Sequence, residues 1–341
     1  MSAQERRLVL VVGVGRSGTS LLTGVLGQLG LHIPVPEVKA NDTNPRGFGE
    51  PRWVVDFHTR LLKRLRVTVN DSRPAAWEST ADVASEEPVR AELTTWLGRE
   101  FAESSRVVVK DPRTVWFLPL WQRVADDLGV ATSFVTMLRE PAEIIASAKK
   151  SYGTWQTDAS RAAAWLNVML ETEHSTRGTQ RAFVRYEDLL GDWEREIRRV
   201  GELTGDPALA GLSRSDFPAV DEFVDPTLHR NRIGWEQHEV PVHVRALADD
   251  VWEQVQGLAL PGGDASGAHE RLDVARAAFV TLYAEAEAIA QSSTTAAKRG
   301  RPKKAAKQAP AAKPSLRVRL SRRVPVRYRR RLRTTLRSLR G

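Results

Sequence analysis

A chain of 341 residues is long enough for one large α/β domain with a core that needs no cross-links. The absence of cysteine excludes a disulfide framework, a thiolate zinc site and a cysteine nucleophile. The net charge of +9 averages two unlike pieces: 18 of the 51 Lys and Arg lie between Lys298 and Arg340, where there is no acid, leaving 33 against 42 Asp and Glu before them. The body is therefore acidic and the tail strongly basic, so the high pI describes an appendage and not the site.

The opening "MSAQERRLVLVVG" has two arginines, but its apolar run is short and ends in a glycine turn. A strand explains it better than a signal peptide. No run approaches the roughly 20 apolar residues of a spanning helix, so a cytoplasmic protein is expected. Further unalternating, β-branched runs follow at "RVVVK" (106–110), "SFVTMLR" (133–139) and "AFVRY" (182–186). Short apolar runs of this kind, separated by helical patterns, signal parallel strands buried on both faces. Helices are expected over Thr19–Leu29, Pro51–Leu65, Glu87–Ala102, Val115–Leu128, Pro141–Lys150, Ala159–Glu173 and Trp193–Leu203, with a last one from about His269 to Ala290. Pro141 sits where a first helical turn accepts proline. The proline- and glycine-rich stretch 31–50 reads as a long irregular loop near the site. The expected division is a domain over 1–291 and a disordered basic tail over 292–341.

The glycines of "VGVGRSGTS" open three readings, because Gly13, Gly15 and Gly18 fit a dinucleotide fingerprint and also the outer glycines of a P-loop. A nucleotide-hydrolysing P-loop places lysine after its last glycine to bridge the outer phosphates; here the residue is Thr19. An NAD site needs a second strand ending in an acid about 20 residues on. The only candidate ends at Glu37 and is interrupted by Pro34 and Pro36. Arg16, Ser17, Thr19, Ser20 and the helix start suit a phosphate or phosphosulfate held without metal.

"GRSGTS", "NPRGFGE", "RVVVKDPR", "FVTMLREPAEIIASAKK" and "FVRYEDLL", in this order, resemble the sulfotransferases that use 3′-phosphoadenosine-5′-phosphosulfate, and most of all their bacterial and Golgi-type branch. The resemblance is firm from about residue 8 to 190. It implies a P-loop NTPase-like α/β fold, a central parallel sheet flanked by helices, with the nucleotide donor as co-substrate and no metal. It places the 5′-phosphosulfate on Arg16, Ser17, Gly18, Thr19 and Ser20, the 3′-phosphate on Arg139 and Ser147, and the adenine near Tyr186. Arg16 and Lys110 would then stabilise charge on the transferring group. Cytosolic relatives carry a histidine base two residues after the lysine, where this chain has Pro112. The Golgi-type branch often uses a glutamate after the first helix, so the base is expected at Glu50, fixed by the turn before it and the helix after it, with Glu37 and then His58 as alternatives. Arg113 and Trp116 are candidates for the acceptor side, and Arg230 and Arg232 for a loop over the nucleotide.

The expected reaction moves a sulfonate to an acceptor hydroxyl or amine, first of all a hydroxyl on a carbohydrate or glycolipid such as an envelope glycan, with a small metabolite or a protein tyrosine as alternatives. Rival readings are a P-loop kinase or NTPase, and a catalytically inactive membrane- or DNA-binding protein. In the tail, Val324, Tyr328, Leu332 and Leu336 recur every four residues among arginines. That pattern describes a basic amphipathic helix over 321–340, suited to an anionic membrane surface at the inner face of the plasma membrane. "KRGRPKK" (298–304) offers the competing reading, a minor-groove hook for nucleic acid.

Overall fold

The computed structural model describes residues 5–41, 44, 47–225 and 233–300. The expected amphipathic helix over 321–340, most of the hook motif, and Arg230 and Arg232 lie outside these described residues. Four parallel strands, β1 (Arg7–Val12), β2 (Arg106–Lys110), β3 (Ala131–Leu138) and β4 (Gln180–Arg185), form one sheet in the order β2-β1-β3-β4. Each run lacks polar alternation because both of its faces are covered. Leu8, Leu10 and Val12 face one apolar cluster, while Val9 and Val11 face another.

The first half supplies α1 (Thr19–Gln28), α2 (Arg52–Leu65), α3 (Ala76–Ala81), α4 (Glu87–Glu103) and α5 (Leu118–Asp127). The second half supplies α6 (Pro141–Tyr152), α7 (Asp158–Ser175), α8 (Tyr186–Gly191), α9 (Trp193–Leu203), α10 (Pro207–Ala210), α11 (Pro218–Phe223), α12 (Val242–Gly257) and α13 (Ser266–Gly300). Residues of α2, α4, α5, α7 and α12 cover the first face, and those of α1, α9 and α11 the second. The chain thus folds as an α/β protein with a central parallel sheet flanked by helices.

Differences from expectation have local causes. The helix expected over Val115–Leu128 is a 3-10 turn, Thr114–Phe117, followed by α5. Pro119 sits in the first turn of α5, where its missing N–H cannot continue the preceding ladder. The strand expected to run through Tyr186 stops at Arg185, and Tyr186 begins α8. No element is expected between Leu203 and His269, yet α10, α11 and α12 lie there. The stretch 31–50 is irregular as expected, but pinned: Val38 N–H donates to Glu50 O and Arg52 N–H to Pro36 O, each at 2.8 Å. The chain divides into two compact units, Met1–Glu285 and Ala286–Gly341, and α13 continues helical to Gly300, past the 292 at which disorder is expected. Among the described residues no helix is long and apolar enough to cross a membrane.

Candidate functional site

Strand order 2-1-3-4 makes the chain leave β1 toward one side and β3 toward the other, so their carboxyl ends flank a crevice of the kind that holds ligands in open α/β sheets. The loop after β1 bends sharply: Gly13 has φ 127°, Gly18 has φ 99°, and Arg16 adopts φ 77°. A Cβ on Gly18 would lie 2.3 Å from the Tyr186 ring, so the tyrosine packs directly on the loop. A non-glycine residue such as Arg16 persists in the left-handed region only when its surroundings hold it there. Ser17 is fully buried, its N–H donating to Val14 O at 3.2 Å and its Oγ left without a partner among the described residues. Leu21 and Leu22 are the first residues of α1 whose N–H groups reach a helical carbonyl, that of Gly18. The N–H groups of Thr19 and Ser20 therefore remain at the open positive end of the helix.

Lys110, the last residue of β2, lies below this helix start. Its Nζ donates to Glu50 Oε1 at 2.6 Å, to Ser20 Oγ at 3.1 Å and to Phe48 O at 3.1 Å, which uses all three of its protons. Ser20 Oγ also accepts from Asn44 Nδ2 at 3.1 Å. Lys110 is 2% and Glu50 8% exposed. Burial holds the Lys110 ammonium below the ordinary lysine range; Glu50 and Asp111 oppose the shift, and the charge of Arg16 adds to it. Glu50 immediately precedes Pro51, which caps α2, whereas Glu37 pairs through its backbone with Pro51 and leaves its side chain exposed.

A second group gathers at the end of β3. Arg139 Nε donates to Glu143 Oε2 at 2.8 Å, its NH1 reaches Arg16 O at 3.4 Å, and its guanidinium stands 4.7 Å from the Tyr186 ring centre. Arg16 Nε donates to Ser147 Oγ at 3.1 Å, and its guanidinium stands 5.9 Å from the Tyr152 ring. Arg139 and Ser147 are thus joined through Arg16 and not by a direct bond. The candidates fall into two groups, Lys110–Glu50–Ser20 and Arg16–Ser147–Arg139–Tyr186, linked by the loop itself.

Other candidates lie elsewhere. His58 is fully buried: its Nδ1 donates to Asp111 Oδ2 at 2.7 Å, and its Nε2 accepts from Trp121 Nε1 at 3.0 Å. Both ring nitrogens are spent on packing partners. Burial alone would raise the pKa of Asp111, but the bonds and charges of His58 and Arg113 more than offset this and leave it low. Arg113 NH1 turns back onto Asp111 Oδ1 at 2.6 Å. Trp116 is 1% exposed, bonded to Val69 O at 3.1 Å and stacked 3.7 Å from Trp77. It belongs to the core, which corrects its expected place on the acceptor side. Glu143, Asn44 and Tyr152 join the site without having been anticipated; only Glu143 left a trace, four residues from Arg139 and hence on the same helical face. Among the described residues no group of three or more His, Asp and Glu is arranged to hold a metal ion.

A family model described as "Sulfotransferase family" matches residues 9–210. Among solved structures, the chain is similar to the sulfotransferase domain of the Synechococcus olefin synthase, with 18% identity, 80% of this chain and 96% of that one covered, and a TM-score of 0.37. It is also similar to the sulfotransferase domain of the curacin biosynthetic pathway, with 16% identity, coverage of 79% and 97%, and a TM-score of 0.37. A sulfotransferase from Mycobacterium tuberculosis matches with 16% identity, coverage of 65% and 77%, and a TM-score of 0.34. No curated protein matches the chain.

Proposed function

The chain belongs to the sulfotransferase family, and from that premise we propose that it transfers the sulfonate of 3′-phosphoadenosine-5′-phosphosulfate to an acceptor hydroxyl, on a carbohydrate or glycolipid. The observation that carries this reading is the buried Lys110 ammonium, held between the Glu50 carboxylate and the Ser20 hydroxyl at the mouth of α1. The residues fit such a donor. Arg16 has no carboxylate partner among the described residues and meets only a hydroxyl and a ring, so its charge is available to an anion. The N–H groups of Thr19 and Ser20 add donors for the 5′ end, while Arg139 and Ser147 suit the 3′-phosphate and Tyr186 the adenine. The donor supplies the sulfonate and a leaving group that departs as a phosphate.

The roles of the chain's own residues follow. Glu50 Oε1 is occupied by Lys110, which leaves Oε2 to take the proton of the acceptor hydroxyl. As the acceptor oxygen bonds to sulfur, the bond from sulfur to the phosphate oxygen breaks, and its electron pair stays with the phosphate. Proton uptake cancels the charge on Glu50 and frees the ammonium of Lys110 for the charge growing on the departing oxygen. Arg16 supplies the second fixed charge. Proton removal and leaving-group stabilisation are then coupled through one ion pair.

Calorimetry in the presence of chelator tests the donor: adenosine 3′,5′-bisphosphate should bind in the micromolar range or tighter, and ahead of ATP and NAD. Transfer of label from the radiolabelled donor to envelope extracts tests the reaction. Magnesium-dependent ATP binding of equal or greater strength would restore the kinase or NTPase reading, against which Thr19 stands in the lysine position.

A further inference from the structure

Buried guanidiniums in this fold meet carboxylates: Arg139 pairs with Glu143, and Arg181 with Glu173 and Asp264. Arg161, in the first turn of α7 and only 6% exposed, does not. Its NH2 donates to Gly153 O at 2.6 Å, but Nε and NH1 are buried without a hydrogen-bond partner among the described residues. The nearest acid on the helix, Asp158, is already engaged by Lys149 at 2.8 Å, by His238 at 3.4 Å and by the N–H of Glu239 at 3.2 Å. One turn along the same face, the indole Nε1 of Trp165 is likewise buried with no acceptor, in a side chain 1% exposed.

Three donor atoms therefore share one face of α7 without an acceptor among the described residues, and the charge of Arg161 meets no carboxylate there. Buried donors in folded proteins are almost always paired, and the exceptions call for a cause. The place is informative. Gly153, which anchors Arg161, follows Tyr152, the residue whose ring lies against the guanidinium of Arg16. Arg161 thus reaches the α6–α7 corner beside Tyr152, on the Arg16–Ser147 side of the candidate site.

We propose that Arg161 and Trp165 form an oxyanion subsite for the acceptor, so that the molecule receiving the sulfonate carries a carboxylate or phosphate at a distance from its reacting hydroxyl. The role as acceptor subsite rests on the sulfotransferase reading; the binding of an oxyanion there does not. An acidic sugar or a phosphorylated glycolipid has the required chemistry, whereas a neutral sugar leaves the guanidinium buried and unmatched.

The test uses the full chain saturated with adenosine 3′,5′-bisphosphate, so that the nucleotide's own phosphate positions are filled. Inorganic phosphate and acetate are titrated in at constant ionic strength against chloride, by calorimetry and by thermal melting. Wild type should bind one of them at a further site, and Arg161→Met should weaken that binding by about tenfold or more, the scale of losing a charge-assisted hydrogen bond, with bisphosphate affinity unchanged. Whichever oxyanion binds more tightly identifies the group on the acceptor. In chloride alone Arg161→Met should melt at or above wild type, because it removes a buried charge that has no carboxylate partner among the described residues. Identical oxyanion responses in the two proteins, or no further site in wild type, overturn the proposal. If Arg161→Met does not fold, Trp165→Phe, which keeps an aromatic ring and removes the donor, supplies the same comparison. If wild type fails to bind the bisphosphate, the donor reading falls by itself, and the oxyanion titration without nucleotide still decides Arg161.

Discussion

Two regions of the molecule gather buried and half-buried cations, and they match them differently. Where α7, β4 and α13 meet, Arg181 bonds Asp264 at 2.8 and 2.6 Å, the Glu173 carbonyl at 2.6 Å and Thr176 Oγ1 at 3.1 Å. Arg177 holds Glu173 at 2.6 Å and Asp273 at 2.8 Å. At the carboxyl ends of β1 and β3, Arg16 has a serine hydroxyl and a tyrosine ring instead, and Arg139 divides itself among one carboxylate, a carbonyl and a ring. A guanidinium matched to carboxylates on every side closes a fold and asks for nothing more. One matched to neutral groups keeps an unmet electrostatic demand, and on the proposed reading that demand is met by the anionic donor.

Glu173 is the sharpest place to break this contrast. It is fully buried and serves both Arg177 and Arg181, so Glu173→Ala leaves two guanidiniums without their shared partner. A loss of about 3–5 kcal/mol is expected, measured by denaturant unfolding, with bisphosphate affinity in the folded fraction unchanged. A large loss of affinity instead would show that the two regions are not separable.

Lys110→Met probes the other region and should lower turnover by about 10²- to 10³-fold, the scale of removing one charge-stabilising donor. Its effect on turnover should exceed its effect on stability, the reverse of Glu173→Ala. Glu50→Gln should lower turnover by about 10²-fold or more. The amide oxygen can still accept from Lys110, so melting temperature and bisphosphate affinity should change little. Glu37→Gln, at an exposed position, should be near neutral; the opposite ranking of the two variants would move the base to Glu37.

The strands and the glycine loop were legible because a strand buried on both faces leaves an unbroken apolar run, as "LVLVV" does, and because Arg16 is foreign to a turn that needs only glycines. The rest was hidden for different reasons. In α12, Leu247, Ala248, Val251 and Val255 already carry a helical stripe, yet it lies between proline- and glycine-rich stretches that read as loop. α10 has too few residues for any period to register. The bond of Arg16 to Ser147 depends on how α6 approaches the loop, and the unmatched state of Arg161 depends on Asp158 being taken by Lys149 and His238. Packing creates both, and no local pattern encodes either.

The smallest expected effects, in pH, set the two regions at opposite ends of the scale. The bonds from Arg181 and Arg177 hold the carboxyls of Asp264 and Asp273 below the usual carboxylate range. A carboxylate with a depressed folded pKa contributes stability that is complete above its unfolded pKa, about 3.9, and is lost as pH falls through the folded value. Because both acids are partly exposed, each contributes under about 1 kcal/mol. Melting temperature should therefore decline below about pH 4, and Asp264→Asn should flatten part of that decline without altering the neutral-pH turnover. Lys110 behaves in the opposite sense. Burial lowers its folded pKa, so the folded state sheds the proton before the unfolded chain does near 10.4, and the group adds stability as pH rises between the two values. The same deprotonation removes the charge that the proposed transfer uses. On the alkaline limb below about pH 10.4, wild-type turnover should fall while its stability gains relative to Lys110→Met. If turnover and relative stability fall together there, the lysine serves the fold in the manner of Arg181, and the contrast between the two regions fails.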